Sequence, residues 1–148
     1  MGMETGRSQS THFYSRLTQR LQQDVPETVL ALGILQARGT LARAMAAGVA
    51  GSRTPLPPCR RHHWRRLPSR VALAVTRTRV YVFALSTVHP KELIDVWDRA
   101  DVHVTVEEFE MTWAVAIHLA DGHHYDLEVM RVGANRVNGE VVRLLSER

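Results

Sequence analysis

The run Arg70–Ser86 reads R-V-A-L-A-V-T-R-T-R-V-Y-V-F-A-L-S. Val71, Leu73 and Val75 alternate with Ala72 and Ala74, and Val80, Val82 and Ala84 alternate with Tyr81, Phe83 and Leu85. Successive side chains of a strand point to opposite faces. The spacing therefore predicts two strands, Val71–Val75 and Val80–Leu85, joined by the polar turn Thr76-Arg77-Thr78-Arg79. Both faces of this pair are apolar, which suits a closed or covered sheet.

Further strands follow. Val88-His89-Pro90 reads as a break and Leu93–Trp97 as a short strand. Val102, Val104 and Val106 alternate with His103, Thr105 and Glu107. Trp113, Val115, Ile117 and Leu119 alternate with Ala114, Ala116 and His118. Asp121-Gly122 is a hairpin signal, after which Tyr125, Leu127 and Val129 alternate with polar residues. Six strands are thus expected over 71–130, ended by Gly133. Asn135 is placed to cap a helix over 135–147, whose Val137, Val141, Leu144 and Leu145 share one face.

Upstream, 28–37 (T-V-L-A-L-G-I-L-Q-A) is expected to be a buried first strand, with Gly33 marking a bulge or a close approach. A helix is expected over 10–24, capped by Ser10 or Thr11. Its apolar face is Phe13, Leu17 and Leu21 with Tyr14 beside them, and Pro26 stops it. Residues 1–9 read as a disordered tail. The Ala/Gly-rich stretch from Gly39 to Gly51 suits a helix or a flexible flap. Pro55, Pro57, Pro58 and Pro68 make Ser52–Pro68 an extended, exposed loop. The organisation expected is a single domain over 10–148, mainly β, with a helix at each end.

A chain of 148 residues, 45% hydrophobic and 23% charged, has the size and composition of one soluble globular domain. Cys59 is the single cysteine, which rules out an intrachain disulfide and a Cys-rich zinc site. No run approaches the ~18–20 apolar residues that cross a bilayer. The polar N-terminus does not read as a signal peptide, and a cytoplasmic protein is expected, with a peripheral position at the inner face of the membrane as its variant. Charge is divided along the chain. Residues 1–90 carry 13 Arg and 3 acids (13 − 3 = +10), and residues 91–148 carry 6 basic and 12 acidic residues (6 − 12 = −6), together the net +4. That asymmetry predicts a polar surface with one basic face.

Seven strands and one amphipathic helix, in this order, resemble the pleckstrin-homology-like (PH-like) superfold. The segment Leu73-Ala74-Val75-Thr76 … Arg79-Val80-Tyr81-Val82-Phe83 resembles a hairpin of bacterial PH-like and GRAM-like domains. Glu27–Leu30 and Gln36–Gly39, followed by the Ala/Gly-rich segment, resemble small uncharacterised actinobacterial proteins of that kind. The resemblance spans roughly Glu27 to Leu145. It implies a bent seven-stranded barrel plugged by a C-terminal helix, here with an additional N-terminal helix. Phosphoinositide-binding members carry their basic ligand residues around the first interstrand loop. PH-like domains also bind peptides by strand addition or in the groove beside the C-terminal helix.

The main constellation able to carry chemistry is that loop. Arg53, Arg60, Arg61, Arg65, Arg66 and Arg70 have no acid among them, and Trp64 lies in their midst. Guanidinium groups fit phosphate oxygens bidentately, so these residues are candidates for anion or lipid binding; the plain alternative is a solvated loop. Non-specific nucleic-acid binding ranks below, since no DNA- or RNA-binding motif accompanies the basic run. His62-His63 and His123-His124 are adjacent pairs that point to opposite faces if on strands, whereas His103, His118 and His124 cluster if their faces agree. Without a Cys partner or an H-E-x-x-H motif, no metal and no cofactor is expected. Cys59 lacks a rigid scaffold for catalysis, and Glu107, Glu108 and Glu110 read as an exposed strand end and turn. The expectation is a non-catalytic binding or adaptor module acting through a protein partner or its own copy. Docking on an anionic membrane surface through 53–70 is the alternative.

Overall fold

A computed structural model of the chain describes residues 15–39, 42, 70–86, 89–130 and 135–147. The tail 1–9, the Pro/Arg-rich loop and nearly all of the Ala/Gly-rich segment lie outside these residues. The elements are a helix α1 (residues 15–24), strands β1 (Ala31–Ala37), β2 (Arg70–Val75), β3 (Arg79–Ser86), β4 (His89–Asp98), β5 (Val102–Glu108), β6 (Thr112–Leu119) and β7 (His124–Met130), and a helix α2 (Asn135–Ser146). The fold is mainly β, as the alternation predicts.

The strands form one antiparallel sheet in the order β4-β3-β2-β1-β7-β6-β5. β1 joins its two halves. It pairs with β2 from Ala31↔Val75 to Gln36↔Arg70. With β7 it pairs only at Gln36↔Glu128 and Ala37↔Leu127. The Glu128 side chain, nearly buried, secures this junction: Gln36 Nε2 donates to its Oε1 at 3.0 Å, and the Gly39 N–H donates to its Oε2 at 3.3 Å.

The period-2 pattern sends one set of side chains to each face. Ala31, Leu35, Val71, Leu73, Val75, Val80 and Val82 share the main core with Val115, Ile117, Tyr125, Leu127 and Val129, and α2 adds Val141 and Leu145. On the opposite face, Leu17, Leu21 and Val25 cover Leu32, Ala72, Ala74, Tyr81, Phe83 and Leu85. This second core explains why the first hairpin is apolar on both sides. Fully burying one Val or Leu contributes about 1.5–3 kcal/mol, so both cores matter to stability.

Two glycines have distinct reasons. Gly122 sits at φ 94° in the β6–β7 turn, a left-handed conformation that glycine adopts without strain. Gly33 permits the close approach the sequence suggests, because α2 lies directly over it. Beside it, Asn138 is 5% exposed and its Oδ1 accepts the Ile34 N–H at 3.1 Å. Ile34 lies on β1 before the stretch that β7 pairs, so a side chain takes the place of a strand there.

Several boundaries differ from expectation, and the strands of the first hairpin each run a residue longer at one or both ends, Arg70–Val75 and Arg79–Ser86. The first strand begins at Ala31 rather than Thr28, and the Leu30 N–H already donates to the Val75 carbonyl at 2.8 Å. His89-Pro90 belongs to β4 rather than to a break. β4 is an edge strand, where proline's missing N–H costs no ladder bond, and its pairing with β3 shifts register around Phe83. The last helix ends at Ser146. The capping role expected of Asn135 and the core role expected of Val137 lie outside the described side chains.

Candidate functional site

β5 is the second edge of the sheet, paired on one side with β6 and with no described strand on the other. The ladder settles which groups face outward. At the hairpin tip the Phe109 N–H donates to the Thr112 carbonyl at 2.8 Å. Antiparallel pairs alternate between bonded and non-bonded, so Glu107, Thr105 and His103 bond to β6. The N–H and C=O of Val104 and Val106 therefore project toward the free edge. Such an edge is a template for a further strand.

The side chains along it are mixed. Val106 is 37% exposed, and the tip exposes Phe109 and Met111 to about the same degree. Glu107, Glu108 and Glu110 surround them and are exposed, as the sequence predicts for a strand end and turn. On the inward face, Val104 packs against the main core, and Trp113 lies beside α2, its ring 3.5 Å from where a Cβ on Gly139 would stand.

The other end of β5 is fixed by Arg99, in the short 3-10 turn Arg99–Asp101 between β4 and β5. Its guanidinium donates to the carbonyls of Thr76 and Arg77 (3.1 and 3.4 Å) and to that of Leu144 in α2 (2.8 Å). One side chain thus ties the first hairpin and the last helix to the start of β5. Next to it is a cavity of about 270 Å³ bordered by Asp98, Asp101, Asp121, Val96 and Leu119. His123 closes on Asp121: its N–H donates to Oδ1 at 2.9 Å and its Nδ1 lies 2.6 Å from Oδ2. The His123 N–H, then the imidazole, hold the Asp121 carboxyl below the usual carboxylate range.

The histidines on strands align. His103, His118 and His124 are successive cross-strand partners on β5, β6 and β7. The rings of His118 and His124 stack at 4.4 Å, those of His103 and His118 stand 6.3 Å apart, and His124 Nε2 lies 2.9 Å from Asp126 Oδ1. Stacked rings do not aim their nitrogens at a common point. No set of three His, Cys, Asp or Glu among the described residues is arranged to hold a metal ion.

Of the basic candidates, Arg70 opens β2, is exposed, and pairs with Gln36. Arg53, Arg60, Arg61, Trp64, Arg65 and Arg66 lie outside the described residues, as do Cys59, His62 and His63. Trp97 is core, stacked on Tyr125 with centroids 5.6 Å apart, and its indole N–H donates to Asp95 at 3.1 Å. Among the described residues, no helix is long and apolar enough to cross a membrane. No protein-family model matches the chain, and no curated protein matches it.

Proposed function

We propose that the chain is a PH-like, non-catalytic binding module that engages a protein partner through the free edge of β5. The strand order with α2 packed over β1 supports the PH-like reading. The observation that carries the function is the pair of outward-facing peptide groups at Val104 and Val106, flanked by exposed Val106, Phe109 and Met111. An added strand would take main-chain hydrogen bonds from this edge and apolar contact from these side chains.

The test is site-specific photo-crosslinking in living cells, with the photoreactive residue at position 109 and, as control, at exposed position 16 of α1. The reading expects a discrete protein adduct from position 109 that Val106→Pro abolishes. Proline there removes an outward N–H and leaves the β5–β6 ladder intact. An adduct that survives Val106→Pro, or equal adducts from both positions, would overturn it. Docking on anionic lipid through Arg53–Arg70 remains the alternative. It predicts salt-sensitive flotation with anionic liposomes, lost when Arg60, Arg61, Arg65 and Arg66 become Ala.

A further inference from the structure

We infer that the partner received by β5 is a second copy of this chain, paired antiparallel about a two-fold axis at Thr105. The inference rests on the edge-docking reading and deepens it by naming the partner. β5 runs Val102–Glu108, so Thr105 is its middle residue. The outward peptide groups of Val104 and Val106 stand symmetrically on either side of it. The far end of the ladder agrees with the hairpin tip: the Ala120 N–H donates to the Asp101 carbonyl at 3.0 Å, which again turns the odd-numbered residues toward β6.

A two-fold axis at Thr105 keeps all seven residues of the strand paired. Val104 falls opposite the partner's Val106, and Val106 opposite the partner's Val104. Each such pair joins two outward-facing residues and exchanges both of its N–H···O bonds. Thr105 meets the partner's Thr105 at the axis as a close, non-hydrogen-bonded pair, and Thr–Thr pairs favour an antiparallel ladder. His103 falls opposite the partner's Glu107 and Val102 opposite the partner's Glu108, so no carboxylate of the strand lies opposite another. The pairing draws nothing from net charge: Glu107 shares a small outer-face hollow with Arg38.

The two edges of the sheet are built differently. β4 carries Pro90 and Lys91, and its pairing with β3 shifts register around Phe83. Proline, lysine and bulges are devices that keep an edge from pairing. β5 carries neither proline nor lysine, and its register with β6 runs unbroken from Val102 to Glu108. A pair of seven-residue strands is a small interface beside the roughly 1,200–2,000 Å² of stable complexes. The dimer is therefore weak, and a dilute solution holds the monomer with Val104 and Val106 open to solvent.

The test uses the full chain with Cys59→Ser, so that an introduced thiol is the only one. Opposed residues of a non-bonded pair stand ~4.5 Å apart at Cα, within disulfide reach. Under mild oxidation with diamide, Thr105→Cys should form a disulfide-linked dimer about tenfold faster than Glu107→Cys. His103→Cys mixed with Glu107→Cys should link as fast as Thr105→Cys, and adding Val106→Pro should slow Thr105→Cys to the Glu107→Cys rate. In the unaltered chain, the amide NMR signals of Val104 and Val106 should shift as protein concentration rises while that of Arg16 in α1 stays fixed. If Thr105→Cys links no faster than Glu107→Cys, or the two amides ignore concentration, self-pairing is excluded. An adduct of a different protein from position 109, lost in Val106→Pro, would then leave edge docking standing. No adduct there would remove both readings.

Discussion

Val141 of α2 rests on Gly33 of β1 so closely that a Cβ added to Gly33 would meet Val141 Cγ2 at 2.9 Å and Val141 Cβ at 3.2 Å. The absence of a side chain on β1 therefore sets the height of α2 above the sheet. Gly33→Ala should destabilise the fold by about 1–3 kcal/mol, the usual cost of overpacking a filled core. Pairing it with Val141→Ala should recover part of that loss, because the second change removes the clashing methyl. Urea unfolding of the two single variants and the double variant measures the coupling. Strictly additive losses would mean that the two residues do not meet.

Asn138 serves the same junction through its hydrogen bond to the Ile34 N–H. Asn138→Leu keeps the helix and approximate bulk but leaves that N–H without its acceptor. An unmade bond of this kind costs about 1–3 kcal/mol. The variant should unfold at lower urea, and its Ile34 amide should exchange faster with solvent. An unchanged exchange rate at Ile34 would assign Asn138 no role there.

Glu27 lies beside the first hairpin turn and accepts hydrogen bonds from the hydroxyls of Thr78, Thr76 and Tyr81. These bonds, Thr78 first, together with the charge of Arg79, hold its carboxyl below the usual carboxylate range. A carboxyl lowered on folding contributes stability that is full above its unfolded value, about 4.3 for Glu, and is lost as pH falls through the folded value. Glu27→Gln should therefore be less stable at neutral pH and lose less on acidification. The remaining slope comes in part from Asp121 and from Glu140, which Arg143 holds low. Urea midpoints measured from neutral to acid pH give the comparison, and parallel curves for wild type and variant would refute this role.

Arg99 reaches the first hairpin turn and the end of α2 with one planar group. Hydrogen bonds from a charged donor are worth about 1.5–3 kcal/mol, so Arg99→Met should destabilise by roughly that amount. Arg99→Lys should recover only part, because a compact ammonium cannot fork to both sites. Thermal unfolding of the two variants decides the matter, with full rescue by Lys as the adverse result.

The sequence makes the sheet legible because alternation is a local signal. The strands around Val71–Val75, Val80–Leu85, Val102–Val106, Trp113–Leu119 and Tyr125–Val129 form where the apolar residues recur at period 2. The two-sided apolar hairpin foretells a covered face, and Leu17 and Leu21 supply part of the cover. Gly33 signals a close approach, but not what approaches. Asn138 carries no warning, since a polar residue on a helix reads as surface until the unpaired stretch of β1 is seen to need an acceptor. The alignment of His103, His118 and His124 depends on the registers of two hairpins, which spacing alone leaves open. The free edge at β5 is a property of strand order. Strand order arises because β1 pairs with β2 along its length and with β7 at its C-terminal end, which no local pattern encodes.

The account depends most on β5 presenting an open edge, and native-state amide hydrogen exchange tests that directly. With its N–H groups bonded alternately to β6 and to solvent, β5 should show strong protection at His103, Thr105 and Glu107 and rapid exchange at Val104 and Val106. Uniform protection from Val102 to Glu108 in the isolated protein would mean that the edge is already occupied, and docking along β5 would have to be abandoned.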